Sequence, residues 1–195
     1  MLATTTTVSF VGIETLKITT EVQLTNGLPA FTIVGLADKS IAESRERVRA
    51  ALHSIGLELP AKHITVNLSP ADIRKEGTSF DLATAVSILA AFGYIPEKQT
   101  EGCMFAGELS LDGKLNKVSG ILPMAGLAKE GFQKIIVPKG NAAEAALQGE
   151  VPVYGMESLG EVVSFLLGNS HPEAEVPMSP SALKKMQREK GKDTE

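Results

Sequence analysis

A chain of 195 residues holds one full domain, or one and a fraction, at about 100–200 residues per domain. Hydrophobic residues at 43% and charged residues at 22% match a globular chain and exclude both a disordered and a collagen-like composition. With 19 Lys+Arg against 23 Asp+Glu the formal charge is −4, so no global basic field draws the chain to nucleic acid and any such contact has to be local.

The first predicted strand carries Val8 and Phe10, and the clearest one follows Gly12. There Leu16, Ile18, Thr20, Val22 and Leu24 alternate with Lys17, Thr19, Glu21 and Gln23, a two-residue period that puts one face on a core. Asn26-Gly27 supplies a favoured hairpin turn before Phe31-Thr32-Ile33-Val34, which predicts three antiparallel strands in succession. Ser40 with Glu43 reads as a capping box, and Ile41, Val48, Leu52 and Ile55 recur at helical spacing up to Gly56. Residues 63–68 alternate again and end at Ser69-Pro70, because proline cannot extend a central ladder. Thr78 and Asp81 suggest a second capping box, opening a nearly apolar and therefore central helix over 81–92.

In the second half, strands are predicted over 103–106 and 135–137, with a turn at Asp112-Gly113 and a short helix over 122–130 between them. A helical run over 142–147, a short strand over 151–154 whose Pro152 suggests a sheet edge, and a helix capped by Ser158 with Glu161 complete the domain near Gly168. This divides the chain into a domain over 1–168 and a linker over 169–195, which carries Pro172, Pro177 and Pro180 ahead of mixed charge.

Cys103, the single cysteine, excludes an internal disulfide framework and a multi-cysteine zinc site and points to a reducing cytoplasm. The uncharged apolar stretch over residues 82–95 falls short of the roughly 20 residues a membrane span requires. The first basic residue, Lys17, lies too far in to open a secretory signal, so a cytoplasmic protein without a membrane segment is expected. His53, His63 and His171 share no metal-ligating spacing, and neither a G-x-x-x-x-G-K-[ST] nor a G-x-G-x-x-G window occurs, so no metal, ATP or dinucleotide site is assigned to the chain.

Two features remain as site candidates. Ser79, at the start of the apolar helix, could be a nucleophile, although a cap is the plainer role and a nucleophile also needs a base. Arg45, Arg47 and Arg49, with Arg74 and Lys75, are candidates for anion or DNA contact; the alternative is ion pairing with carboxylates such as Glu46 or Asp72. At helical spacing Arg45 and Arg49 border the apolar stripe while Arg47 points elsewhere.

Four blocks together resemble a known family. They are Asn26-Gly27-Leu28-Pro29-Ala30-Phe31-Thr32-Ile33-Val34-Gly35-Leu36, Glu43-Ser44-Arg45-Glu46-Arg47-Val48-Arg49-Ala50-Ala51-Leu52, Ile64-Thr65-Val66-Asn67-Leu68-Ser69-Pro70-Ala71-Asp72, and Gly107-Glu108-Leu109-Ser110-Leu111-Asp112-Gly113. In this order they resemble the N-terminal domain of the Mg-chelatase-like AAA+ ATPases of the ComM/YifB type, over roughly residues 3–167. The resemblance implies a bacterial α+β domain of the ribosomal protein S5 domain 2-like fold, a mixed sheet packed with helices, shared with the Lon protease domain. It also implies a partner AAA+ domain of the same parent protein, a hexameric full-length assembly, and ATP and Mg²⁺ bound in that motor rather than in these residues.

In function, the resemblance implies a non-catalytic accessory domain of a motor that processes DNA in natural transformation, contributing DNA or partner contact. Two rivals stand beside it: a Lon-like serine peptidase, and a purely structural module for ring assembly. Aligned on the Lon blocks, Ser79 takes the nucleophile's place, but Leu122 falls where the Lon lysine belongs, with Lys117 and Lys129 off register. Leucine cannot deprotonate a serine.

Overall fold

The computed structural model describes residues 2–11, 14–35, 37–75 and 77–175, the first two strands up to residue 14 by backbone alone. Strands β1 (Leu2–Val11) and β2 (Glu14–Thr25) pair antiparallel, Leu2 opposite Gln23 and Val11 opposite Glu14. In β2 the predicted alternation is present: Ile18, Thr20 and Val22 are buried, while Lys17 and Gln23 are exposed.

The third strand departs from the prediction. β3 (Ala30–Val34) is not the hairpin partner of β2, because β4 (His63–Ser69) lies between them. Val66 of β4 faces Val22 of β2 in antiparallel pairing and Ile33 of β3 in parallel pairing. Helix α1 (Lys39–Ser54) provides the crossover that a parallel pair needs. The reason is burial. Ile64, Val66 and Leu68 of β4 are all sealed in the core, whereas in β3 only Phe31 is, so β4 gains more from the inner position. The Asn26-Gly27 turn signal yields to that non-local gain.

On the other side of β1 the sheet continues in parallel through β5 (Cys103–Phe105), β8 (Lys134–Pro138) and β9 (Val153–Met156), giving the order β3-β4-β2-β1-β5-β8-β9. A separate hairpin, β6 (Glu108–Leu109) with β7 (Leu115–Asn116), turns at Asp112-Gly113 as predicted. β9 is an edge strand, also as predicted, and the Glu175 amide donates to the Val153 carbonyl at 2.8 Å, so the chain beyond Gly168 returns to that edge.

The remaining helices are α2 (Asp81–Ala91), α3 (Ile121–Leu127), α4 (Lys139–Ala146) and α5 (Leu159–Leu166). The apolar residues of α1, α2 and α5 share one cluster with Ile18, Val22, Val66 and Phe105. Those of α3 and α4 share another with Met104, Ile135 and Val137. β5 and β8 therefore send alternate side chains into two cores, which is why their sequences read as unbroken apolar runs. Every residue of α2 is buried, as its composition predicts, and no helix among the described residues is long and apolar enough to cross a membrane.

Two of the three predicted caps are replaced by others. α1 is capped by Asp38, whose carboxylate accepts from the Ile41 amide at 2.9 Å, and not by Ser40. Asp38 is held there because its own amide donates to the Lys75 carbonyl at 3.2 Å. At α2 neither Thr78 nor Asp81 supplies a side-chain cap; the Leu82 amide donates instead to the Gly107 carbonyl at 3.1 Å, from the connection after β5. The Ser158 cap of α5 forms as expected, its hydroxyl accepting from the Glu161 amide.

Gly35 ends β3 at φ +106°, and a Cβ built there would lie 2.3 Å from the Leu68 carbonyl oxygen of β4. Both the backbone conformation and the contact forbid a side chain. Gly35→Ala is expected to cost about 2 kcal/mol or more, read as a lower urea midpoint; an unchanged midpoint would contradict this close approach.

Candidate functional site

Asp81 opens α2 with its side chain only 1% exposed. The Arg47 guanidinium grips it at both oxygens, Nε to Oδ2 at 2.7 Å and Nη2 to Oδ1 at 3.0 Å. The Ser44 hydroxyl donates to Oδ1 at 2.5 Å, and the Leu109 amide to Oδ2 at 3.0 Å. Arg47 also donates to the Ser40 carbonyl at 2.9 Å. One carboxylate thus joins α1, α2 and β6. Burial pushes the Asp81 pKa up, while Arg47, Ser44 and the Leu109 amide pull it back. The Arg47 pKa is raised, chiefly by its hydrogen bond to Asp81. The sequence offers Arg47 as an anion contact; its charge is engaged inside the protein instead.

Lys75 is likewise placed inside, with 0% of its surface exposed. Its ammonium donates to the Gly35 carbonyl at 2.8 Å and to the Pro70 carbonyl, and burial lowers its pKa. With the bond from Asp38 to the Lys75 carbonyl, it pins the loop before α2 against the ends of β3 and β4. Ser79 follows in that loop, 7% exposed, its carbonyl accepting from the Gly107 amide at 3.0 Å. Among the described residues, no lysine, histidine or carboxylate is hydrogen-bonded to its hydroxyl.

Arg45, Arg49 and Arg74 are exposed. Arg45 and Arg49 lie one turn apart on the flank of α1 opposite Arg47, and His53 continues the row after another turn. Arg45 donates to the Phe31 carbonyl at 3.3 Å, on the outer side of edge strand β3. Arg49 lies over the Phe31 ring, 5.8 Å from its centroid, and 3.7 Å from Glu46 in an exposed pair of the kind expected from the sequence.

Beside Arg49 and His53 opens a groove of about 630 Å³. Phe31, Leu52 and Ile64 form its buried floor, α1 one wall and residues 57–62 the other. The second wall is fixed by the Tyr94 hydroxyl donating to the Glu58 carbonyl and by Lys62 donating to the Asn26 side chain. Neither His53 nor Lys62 is marked as a site by local sequence; the signal for His53 is its helical spacing from Arg45 and Arg49, and Lys62 is brought to the groove only by the fold.

The described residues hold no group of three His, Cys, Asp or Glu side chains suited to a metal ion, and the chain has no phosphate-binding loop.

Residues 20–141 match the family model of subunit ChlI of Mg-chelatase. The chain is 42% identical to the competence protein ComM of Haemophilus influenzae over 157 residues, covering 80% of this chain and 31% of that protein. It is 40% identical to YifB of Salmonella typhimurium over 174 residues, 88% of this chain and 34% of that one. Lon protease 2 of Bacillus subtilis is more distant, 30% identical over 134 residues, 67% of this chain and 24% of the protease. The chain thus spans about a third of the length of ComM and YifB.

Arg47→Ala strands the Asp81 carboxylate without its cation and is expected to cost about 3–5 kcal/mol near neutral pH. The substitution raises the Asp81 pKa further above that of an unfolded aspartate, about 3.9. The folded variant then binds the proton more tightly than the unfolded chain, so the Asp81 contribution to its stability is fully present below about pH 3.9 and is lost as pH rises through the raised value. Urea melts at about pH 5 and about pH 8 should show the deficit against the parent protein growing with pH. A deficit independent of pH would mean that Asp81 is not desolvated.

Proposed function

The chain belongs to the family of the ChlI subunit of Mg-chelatase, and from that membership we propose that it is a non-catalytic accessory domain of a ComM/YifB-type AAA+ ATPase, contributing DNA contact to a DNA-processing motor. In this reading it has the ribosomal protein S5 domain 2-like fold and works in the cytoplasm. The motor domain of the same parent protein, assembled as a hexamer, is its partner and supplies the ATP and Mg²⁺ chemistry. The name of the competence protein ComM supports a role in natural transformation.

The observation that carries the proposal is the row of Arg45 and Arg49 on the exposed flank of α1, ending in His53 beside the groove. Phosphates are drawn to such a local cluster even on a chain of charge −4. Arg74 is the third exposed candidate. Arg47 and Lys75 support the contact only by fixing α1 and the loop before α2.

The similarity to Lon protease 2 and the position of Ser79 ahead of α2 favour the peptidase as a second reading. It is the weaker one, since Ser79 is buried and Leu122 stands where the lysine base would. Casein turnover abolished by Ser79→Ala would restore it.

The test is fluorescence anisotropy of labelled DNA against salt. Arg45→Ala, Arg49→Ala and Arg74→Ala should each weaken binding and flatten the slope of log K against log salt by about 0.7 for every single-strand phosphate no longer neutralised. Affinity and slope unchanged in all three would remove these arginines as contacts and the DNA role with them.

A further inference from the structure

The proposed DNA role leaves open which form of DNA is held, and the groove beside α1 bears on that. We propose that this groove seats one unstacked nucleotide of single-stranded DNA, with its base on the Arg49 guanidinium and against Leu57 and Leu59, and its phosphate beside His53 and Lys62. The inference rests on the DNA reading and deepens it.

Three observations support it. The first is size: about 630 Å³ lies within the range of roughly 300–1,000 Å³ that small-molecule sites occupy. The second is an exposed cation at the floor, because the Arg49 guanidinium lies 5.8 Å from the Phe31 ring centroid with more than half of its side chain open to solvent, and a base stacks readily on such a guanidinium. The third is the division of the lining. Half-buried Leu57 and Leu59 offer an apolar wall, while His53 and Lys62 offer donors at the rim. Lys62 gives one N–H to Asn26, and its ammonium carries two more that can reach a phosphate.

The carboxylate of Glu58 also lines the groove and opposes an anion, and Glu46 pairs with Arg49. Charge alone therefore gives the groove little hold on a phosphate, and most of the affinity has to come from the base. A duplex keeps its bases stacked and paired and can offer only its backbone, so the groove selects for single strands. An acidic peptide would meet the same cations but has no planar base to lay on Arg49.

The experiment uses the whole 195-residue chain and fluorescein-labelled probes: an oligothymidylate of about twelve nucleotides, an abasic strand of equal length and a duplex of equal length. The oligothymidylate should bind at least about tenfold more tightly than the other two. Leu59→Ser should erase most of that advantage while leaving duplex affinity unchanged, and circular dichroism should show the variant folded. The abasic strand tests the same point without altering the protein.

Equal affinity for all three probes, still lowered by Arg45→Ala and Arg49→Ala, would overturn the nucleotide seat and leave the DNA role standing. No binding of any probe would end both. Displacement of the oligothymidylate by a peptide of alternating Glu and Phe as readily as by unlabelled oligothymidylate would assign the groove to a protein partner and overturn the proposal.

Discussion

A carboxylate sealed from water either finds donors or takes up a proton, and Asp81 finds three donor residues on two other elements, α1 and β6. A buried pair of this kind gains little net stability over an apolar replacement, since desolvation offsets much of the attraction. Its effect here is geometric. Ser44 and Arg47, three residues apart on α1, both reach Asp81, and this fixes the roll of α1 against α2. Once that flank faces inward, the opposite flank carrying Arg45, Arg49 and His53 can only face outward over β3. The exposed cationic row is a consequence of the buried pair.

Elements whose pattern follows from a single physical cause are legible in the sequence. β2 alternates because one of its faces is core, and α2 lacks polar surface because it is enclosed on every side. β3 is not legible in the same way, because Asn26-Gly27 acts over a few residues, while β4, far downstream, outweighs it with three sealed aliphatic side chains. The caps differ for a related reason. At α2 the amide partner is Gly107, on a connection no local motif could point to, and at α1 the loop at Lys75 favours Asp38 over Ser40.

The site is legible as a set of residue types but not as a surface. Five cations stand as candidates, and their sequence neighbourhoods give no way to separate Arg45 from Arg47. The fold separates them through a partner 34 residues away for Arg47, and through two carbonyls at the ends of β3 and β4 for Lys75. Two of the blocks that carry the family resemblance, around Arg47 and around Leu109, meet at Asp81. Two others, around Phe31 and Ile64, form the groove floor with Leu52.

This division bears on how such a domain would hold DNA. Two of the five candidate cations are engaged internally, and the remaining exposed ones sit on a chain with an excess of acidic residues. Long-range attraction is therefore weak, and in the proposed reading contact depends on short-range fit between a base and the groove. If the domain is carried in several copies on one motor, as proposed, a weak, local contact suits it, because linkage raises the effective concentration of each site along a shared strand. Under that proposal a tight individual contact would hold the strand in place as the motor worked to move it, so modest affinity per copy is the arrangement the proposed role calls for.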